Sequence, residues 1–138
     1  SVIYSIFRNL TDNAIAYAGN GTTITISAHK DNDGPWHFTY ADNGVGVDHQ
    51  HIARLFERFY RVDKGRSRKI GGTGLGLAIV KNAVILHGGS ISATNITTGG
   101  LRFDFTLGSY HLLHKIISMR NFFLLTLHPN VTYPNYAH

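Results

Sequence analysis

The chain has 138 residues, 43% of them hydrophobic and 15% charged, and 13 Lys and Arg against 8 Asp and Glu give a net charge of +5. That length suits one domain, or one domain with a tail, and is enough for a sizeable core. The lack of cysteine excludes a disulfide scaffold, a thiolate zinc site and a cysteine nucleophile. No apolar run reaches the roughly 18 residues that a membrane span needs, so no direct membrane insertion is expected of this segment. A start at Ser1, with Met119 the single methionine, predicts a processed or excised piece.

Residues 2–18 read as an amphipathic helix, because Ile3, Ile6, Phe7, Leu10, Ala14 and Tyr17 recur at spacings of three and four, and Gly19 is a natural stop. Residues 22–30 alternate, with Ile24, Ile26 and Ala28 on one face, and residues 36–40 alternate with Trp36, Phe38 and Tyr40. The turn-forming run from Asp31 to Pro35 joins them into a predicted hairpin. A glycine loop over 42–47 precedes a helix expected from Asp48 to about Phe59. Residues 61–73 carry charges and glycines with little apolar pattern and predict a long loop of the kind that is functional or mobile. A second helix is expected from Gly74 to His87, closed by Gly88 and Gly89. A final hairpin pairs 90–95 with 101–107 around Gly99 and Gly100. Residues 1–108 make a complete α+β layer pattern, and 109–138 read as an appended tail.

Several stretches carry chemistry, each with a plainer alternative. The run from Gly71 to Leu77 opens directly into a helix, so its backbone amides can approach an anion at a positive helix end. It is equally a flexible linker capped by Thr73. Asp42, at the end of a strand and before Gly44 and Gly46, is either a turn former or an acceptor for an exocyclic amine. Asn9 and Asn13 are one helical turn apart and share a face. Asparagine is poor inside helices, so the pair suggests oxygen ligands for Mg²⁺ or amides for phosphate. Asp31 and Asp33 fit a hairpin turn better than a calcium loop, since Pro35 and Trp36 stand where such a loop needs a ligand and a glycine. Nine histidines include no H-x-x-x-H pair, which gives zinc little support. Seven of the 13 basic residues fall between 54 and 69 (Arg54, Arg58, Arg61, Lys64, Arg66, Arg68 and Lys69). They suit a nucleic-acid surface, a polyphosphate trap beside the glycines, or a solvated face.

In order along the chain, these pieces resemble a known set. Asn9 to Ala14 (NLTDNA) resembles the N box of sensor histidine kinases. Asp42 to Gly46 (DNGVG) resembles their G1 box, and Phe56 to Phe59 (FERF) their F box. Gly72 to Leu77 (GTGLGL), continuing through Lys81 to His87-Gly88-Gly89, resembles their G2 box and the helix after it. Gyrase-type, chaperone-type and mismatch-repair ATPases share the first two boxes, whereas the last two point to the kinase branch. The resemblance covers about residues 2–107 and implies a Bergerat-type fold. This is a two-layer α/β sandwich with a mixed, mainly antiparallel sheet, helices on one face and a mobile lid over ATP.

Carried onto this sequence, the resemblance implies that Asn13 ligates Mg²⁺ and that Asn9 assists at the phosphates. Tyr17 would flank the nucleotide ring. Asp42 would accept from the adenine amine, with Gly44 and Gly46 giving the ring room. Arg61 would reach the γ-phosphate, and the backbone of Gly72, Thr73, Gly74, Leu75, Gly76 and Leu77 would cradle the phosphates. Ala16 stands where relatives often carry Lys or Arg, so one phosphate contact is missing. The family's first strand and its dimerisation helix with the phospho-acceptor histidine have no counterpart in the sequence. His87 is expected to cap a helix.

The implied function is the ATP-binding catalytic domain of a two-component sensor histidine kinase, cytoplasmic, and not autophosphorylating alone. It would act with a separate phospho-acceptor domain and with a response-regulator receiver domain. The alternatives are a degenerate nucleotide sensor that transfers nothing and, far behind, a nucleic-acid module suggested by charge alone. A serine kinase of the anti-sigma type shares the nucleotide boxes but fits the F-box region less well.

Overall fold

The computed structural model describes residues 1–62 and 72–108. The expected basic residues Lys64, Arg66, Arg68 and Lys69, and the 109–138 tail, lie outside these. Helix α1 runs Val2–Tyr17, and strands β1 (Ile24–Lys30) and β2 (Trp36–Asp42) follow. A one-turn helix α2 (His49–Ile52), helix α3 (Gly76–Leu86) and strands β3 (Ile91–Asn95) and β4 (Leu101–Leu107) complete the chain order. The strands form one sheet in the order β1-β2-β4-β3. All three pairings among the described residues are antiparallel, so the parallel pairing that a mixed sheet requires is not among them.

The apolar stripe of α1 lands on the sheet as its period dictates. Ile3, Ile6, Phe7, Leu10 and Ala14 are buried. Phe7 meets Phe38 and Phe105 edge-on at 5.9 Å each, and those two rings stack at 5.0 Å across the β2–β4 pairing. Leu77, Val80 and Val84 of α3 join the same core with Phe103 and Leu107. Each large side chain buried in this layer contributes about 1.5–3 kcal/mol of transfer free energy. The Tyr40 hydroxyl, otherwise sealed in, hydrogen-bonds the Thr11 hydroxyl at 2.9 Å. Burial pushes its phenol up to about 12; the Thr11 hydrogen bond opposes that shift, and the Asp42 and Asp12 carboxylates reinforce it.

Both hairpins and both long helices form where the periodicity places them, with ends moved by a residue or two. The helix expected over 48–59 does not run that far. It stops at Ile52 and gives way to turns, in which Arg54 donates to the His51 carbonyl and Glu57 to that of Arg54. Phe59 then takes φ +63°, a left-handed conformation no helix can contain. Strand β1 also differs from its pattern. Ile26 and Ala28 lie opposite Tyr40 and Phe38 and so share the helix-facing side, yet Ile26 is 43% exposed. Among the described residues, the helical layer covers β2, β4 and β3 and leaves β1 as an uncovered edge.

Candidate functional site

A cavity of about 680 Å³ lies between α1, the end of β2, the loops around Tyr60 and the start of α3. Asn9, Asn13, Tyr17, Asp42, Gly46, Arg61, Gly72, Thr73, Gly74, Gly76 and Leu77 all line it. That volume suits a small ligand. Of the thirteen expected site residues, only Gly44 and Leu75 do not line it.

Asp42 is the buried charged residue among those described, at 6% exposure. It ends β2 pointing inward because Tyr40 and Phe38, two and four residues earlier, are core residues. Its Oδ1 accepts from the backbone amides of Gly44 at 2.9 Å and Leu101 at 3.3 Å. Its Oδ2 accepts no hydrogen bond among the described residues. That oxygen is not among the sealed side-chain atoms of the described residues, so in the cavity that Asp42 lines it can accept from a ligand or water.

Gly44 serves the loop rather than the cavity. A Cβ there would lie 2.2 Å from the Ala18 carbonyl oxygen, and Val45 donates to that same carbonyl. The glycine therefore lets the loop after Asp42 lie flat on the end of α1. Gly46 has its own close neighbour, the Asn95 side-chain oxygen, 2.8 Å from where a Cβ would be. Asn95 completes the fastening by accepting from the Val47 amide at 3.1 Å and donating to the Val47 carbonyl at 2.5 Å.

The other end of the cavity is built by α1 and α3. Asn9 donates to the Ser5 carbonyl at 2.8 Å, which turns its oxygen toward α3, 3.1 Å from where a Gly76 Cβ would sit. Asn13, one turn on, is half-buried. Helix α3 begins with Leu75 as N-cap and no side-chain cap bond, so Thr73 does not cap it. The first residues of α3, Gly76 and Leu77, line the cavity, and no side chain among the described residues caps the helix there. Gly72 sits between the Tyr17 hydroxyl and the Arg61 guanidinium, 3.5 and 3.3 Å from its hypothetical Cβ. Gly74, at φ +73°, lies so close to the backbone of Phe59 that a Cβ would be 2.9 Å from it, and its carbonyl accepts from the Phe59 amide at 2.9 Å. That clasp, with the left-handed turn at Phe59, delivers Tyr60 and Arg61 to the cavity.

Tyr60 is a lining residue that the sequence reading missed. Its hydroxyl bonds His51 Nδ1, and the Arg54 guanidinium lies 4.2 Å over its ring while forking onto Glu57. Its position next to Arg61 was the available signal. Val47, Leu55 and Leu101 also line the cavity but carry no such signal, since an apolar wall reads like any other core position. His87 closes α3 as expected, donating from Nδ1 to the Ala83 carbonyl at 3.0 Å.

A buried carboxylate with a free oxygen at one end, and an uncapped helix start, side-chain oxygens and a guanidinium at the other, suit a ligand with a hydrogen-bonding base and an anionic tail. Comparison with known proteins agrees. Residues 1–110 match the family described as histidine kinase-, DNA gyrase B-, and HSP90-like ATPase, and the chain belongs to that family. Within it, the chain carries the ATP-binding catalytic domain of the sensor histidine kinase type. It is 43% identical over 109 residues to the sensor-like histidine kinase SenX3 of Mycolicibacterium smegmatis, covering 79% of this chain and 28% of that protein. Among solved structures, the mycobacterial sensor histidine kinase MprB superposes with a TM-score of 0.66 at 28% identity, covering 77% of this chain and 71% of that one. The ATP binding domain of PrrB from Mycobacterium tuberculosis superposes with a TM-score of 0.59 at 28% identity, covering 79% and 68%. The chain thus spans little more than a quarter of the length of SenX3.

Proposed function

We propose that residues 1–108 bind Mg²⁺–ATP and, in the longer protein, offer its γ-phosphate to a histidine of a separate dimerisation domain, from which it passes to an aspartate of a response-regulator receiver domain. The observation that carries this reading is the buried Asp42, one oxygen accepting from two backbone amides and the other without a donor among the described residues. An exocyclic amine such as that of adenine supplies the missing donor. Tyr17 flanks the ring, and the apolar walls at Val47, Leu55 and Leu101 exclude water from it.

At the anionic end, the amides at the start of α3 and the Arg61 guanidinium receive the phosphates. Asn13, half-buried and with no hydrogen bond among the described residues, has an amide oxygen to offer a hard cation, and Asn9 and Asp12 add oxygens beside it. This donor set fits Mg²⁺, which prefers oxygen ligands and keeps several waters. Bound there, the ion would neutralise charge on the β- and γ-phosphate oxygens. What the chain itself contributes is position and charge, which is most of what phosphoryl transfer asks of a protein. The acceptor imidazole nitrogen bonds the γ-phosphorus as the bridging oxygen bond breaks and ADP leaves. Residues 1–108 supply the donor half of this arrangement, in the cytoplasm where ATP and the receiver domain are found.

Titration with a non-hydrolysable ATP analogue, with and without Mg²⁺, tests the reading. Asp42→Ala should weaken binding roughly 10- to 100-fold, the scale of a hydrogen bond to a charged group. Asn13→Ala should abolish the dependence on Mg²⁺. Equal behaviour of both variants and the parent chain, or no binding at millimolar analogue, would overturn it. Transfer is tested by adding the cognate dimerisation domain and radiolabelled ATP, with label expected on its histidine.

A further inference from the structure

The sheet has a second face that no helix among the described residues covers, and one corner of it carries a set of side chains the nucleotide site does not use. His29 of β1 and His37 of β2 are direct cross-strand partners. Their neighbours Ala28 and Phe38 share the helix-facing side, so the two imidazoles point the other way. The rings stack with centroids 4.9 Å apart and 5° between their planes. Just past β1 the chain turns, with Gly34 donating to the Asp31 carbonyl at 3.1 Å, and the Asp31 carboxylate folds back so that its Oδ2 lies 2.8 Å from His37 Nε2. One nitrogen of each histidine and one Asp31 oxygen therefore lie within 4.8 Å of one another.

We propose that His29, Asp31 and His37 form a binding site for a borderline divalent transition metal, Zn²⁺ by its donor set, at the end of the sheet remote from the nucleotide cavity. Two imidazoles and a carboxylate are the ligands that Zn²⁺ and its neighbours in the series accept, whereas Mg²⁺ and Ca²⁺ favour oxygen alone. Bonds of about 2.0–2.1 Å in a tetrahedral site place ligand atoms roughly 3.3 Å apart. The donors are already close to that spacing, and because all three side chains are at the surface, rotation about their side-chain bonds can close the rest. No backbone movement is required: two ligands are fixed by strand pairing and the third by the turn.

A His37–Asp31 ion pair alone accounts for the 2.8 Å contact but not for His29. Ligation by both imidazoles and the Asp31 carboxylate accounts for the convergence of all three side chains. Thr106 opposite His37 and Ser27 and Thr39 one pair further in are uncharged, and Asp104, opposite Thr39 on this face, is already paired with Arg102. Lys30, next to His29, alternates to the other face, and Asp33 in the turn is exposed. Asp42 is five residues further along β2, about 17 Å at the usual rise of a strand, so occupancy does not depend on the nucleotide. The spacing His-x-Asp-x5-His is invisible to a search for helical zinc motifs because a hairpin, not a helix, brings its ends together.

The test is calorimetric titration of the 138-residue chain with Zn²⁺ in excess Mg²⁺, followed by imidazole ¹H–¹⁵N spectra read residue by residue. The parent chain should take up one equivalent that moves the His29 and His37 resonances together, with no response to Ca²⁺. His29→Ala, His37→Ala and Asp31→Ala should each weaken that equivalent tenfold or more, at least the loss that removing a mere supporting group causes in metal sites. His49→Ala should not. Unmoved His29 and His37 resonances at millimolar Zn²⁺, or unchanged affinity in His37→Ala, would overturn the site; thermal melts of the variants confirm that these surface changes leave the fold in place.

Discussion

At the Asp42 end of the cavity the chain is held by backbone against backbone, and at the Gly72–Gly76 end mainly by side chains reaching across a gap. A Cβ on Gly100 would lie 1.8 Å from the Asp42 carbonyl oxygen, and one on Gly44 would lie 2.2 Å from that of Ala18. Neither neighbour can swing aside. Across the cavity, a Cβ on Gly72 or Gly76 would meet the tips of Arg61, Tyr17 and Asn9 at 3.1 Å or more, and those side chains can give way. Gly74 against Phe59 is the exception, and it is the clasp that aims Arg61. Recognition of a base needs a shape fixed before the ligand arrives, whereas a flexible, hydrated phosphate chain is better met by donors that adjust. The contrast follows from where the folding free energy sits: the Asp42 end is part of the sheet's own pairing, and the Gly72–Gly76 end is not.

Substitutions at the two ends should therefore fail in different ways. Gly100→Ala should have the largest effect, about 4 kcal/mol of stability by urea unfolding, because a side chain at φ +108° also collides with fixed backbone. A loss below 1 kcal/mol would show that the Asp42 end is as pliable as the other. Tyr40→Phe probes, through pH, the core strand that leads into Asp42. The folded-state phenol titrates at about 12, above the usual value near 10, so its contribution is complete below pH 10 and is lost as pH rises from 10 toward 12. The parent chain should lose about 2–3 kcal/mol over that window that Tyr40→Phe does not; parallel stability curves would refute this. Arg61→Ala should weaken ATP-analogue binding roughly tenfold, about 1.4 kcal/mol, while leaving ADP nearly unaffected. Equal losses for both nucleotides would place Arg61 elsewhere than at the γ-phosphate. Thr73→Ala should be the mildest, within about 0.5 kcal/mol of parent stability, since its side chain caps nothing.

The sequence was most legible where one physical rule acts alone. The 3.6-residue period of Ile3, Ile6, Phe7 and Leu10 and the alternation of Trp36, Phe38 and Tyr40 each reflect burial of a single face, and both elements form as the pattern predicts. The glycine boxes were legible as the lining of one cavity but not residue by residue. Gly44 turned out to touch α1 instead of the cavity, a tertiary contact with no local signature. The helix expected through Phe59 failed because the Gly74 clasp, fifteen residues away, sets the backbone of Phe59. Strand β1 shows the reverse: its alternation is real, but no helix among the described residues comes to cover it. The His29–Asp31–His37 cluster depends on hairpin register, which composition and helical spacing do not encode.

Helix α1 has a consequence for how such a chain can change. Its 16 residues place Ile6 and Leu10 in the core and Asn9 and Asn13 at the cavity, so ligand chemistry and structural packing are written in one reading frame. Removing a single residue between Leu10 and Asn13 rotates one half of the helix by about 100° against the other. Either Asn13 leaves the cavity and Ala14 the core, or Asn9 leaves the cavity and Ile6 and Leu10 the core. The helix can thus tolerate exchanges of side chain but not insertions or deletions, and any diversification of this site must proceed by substitution.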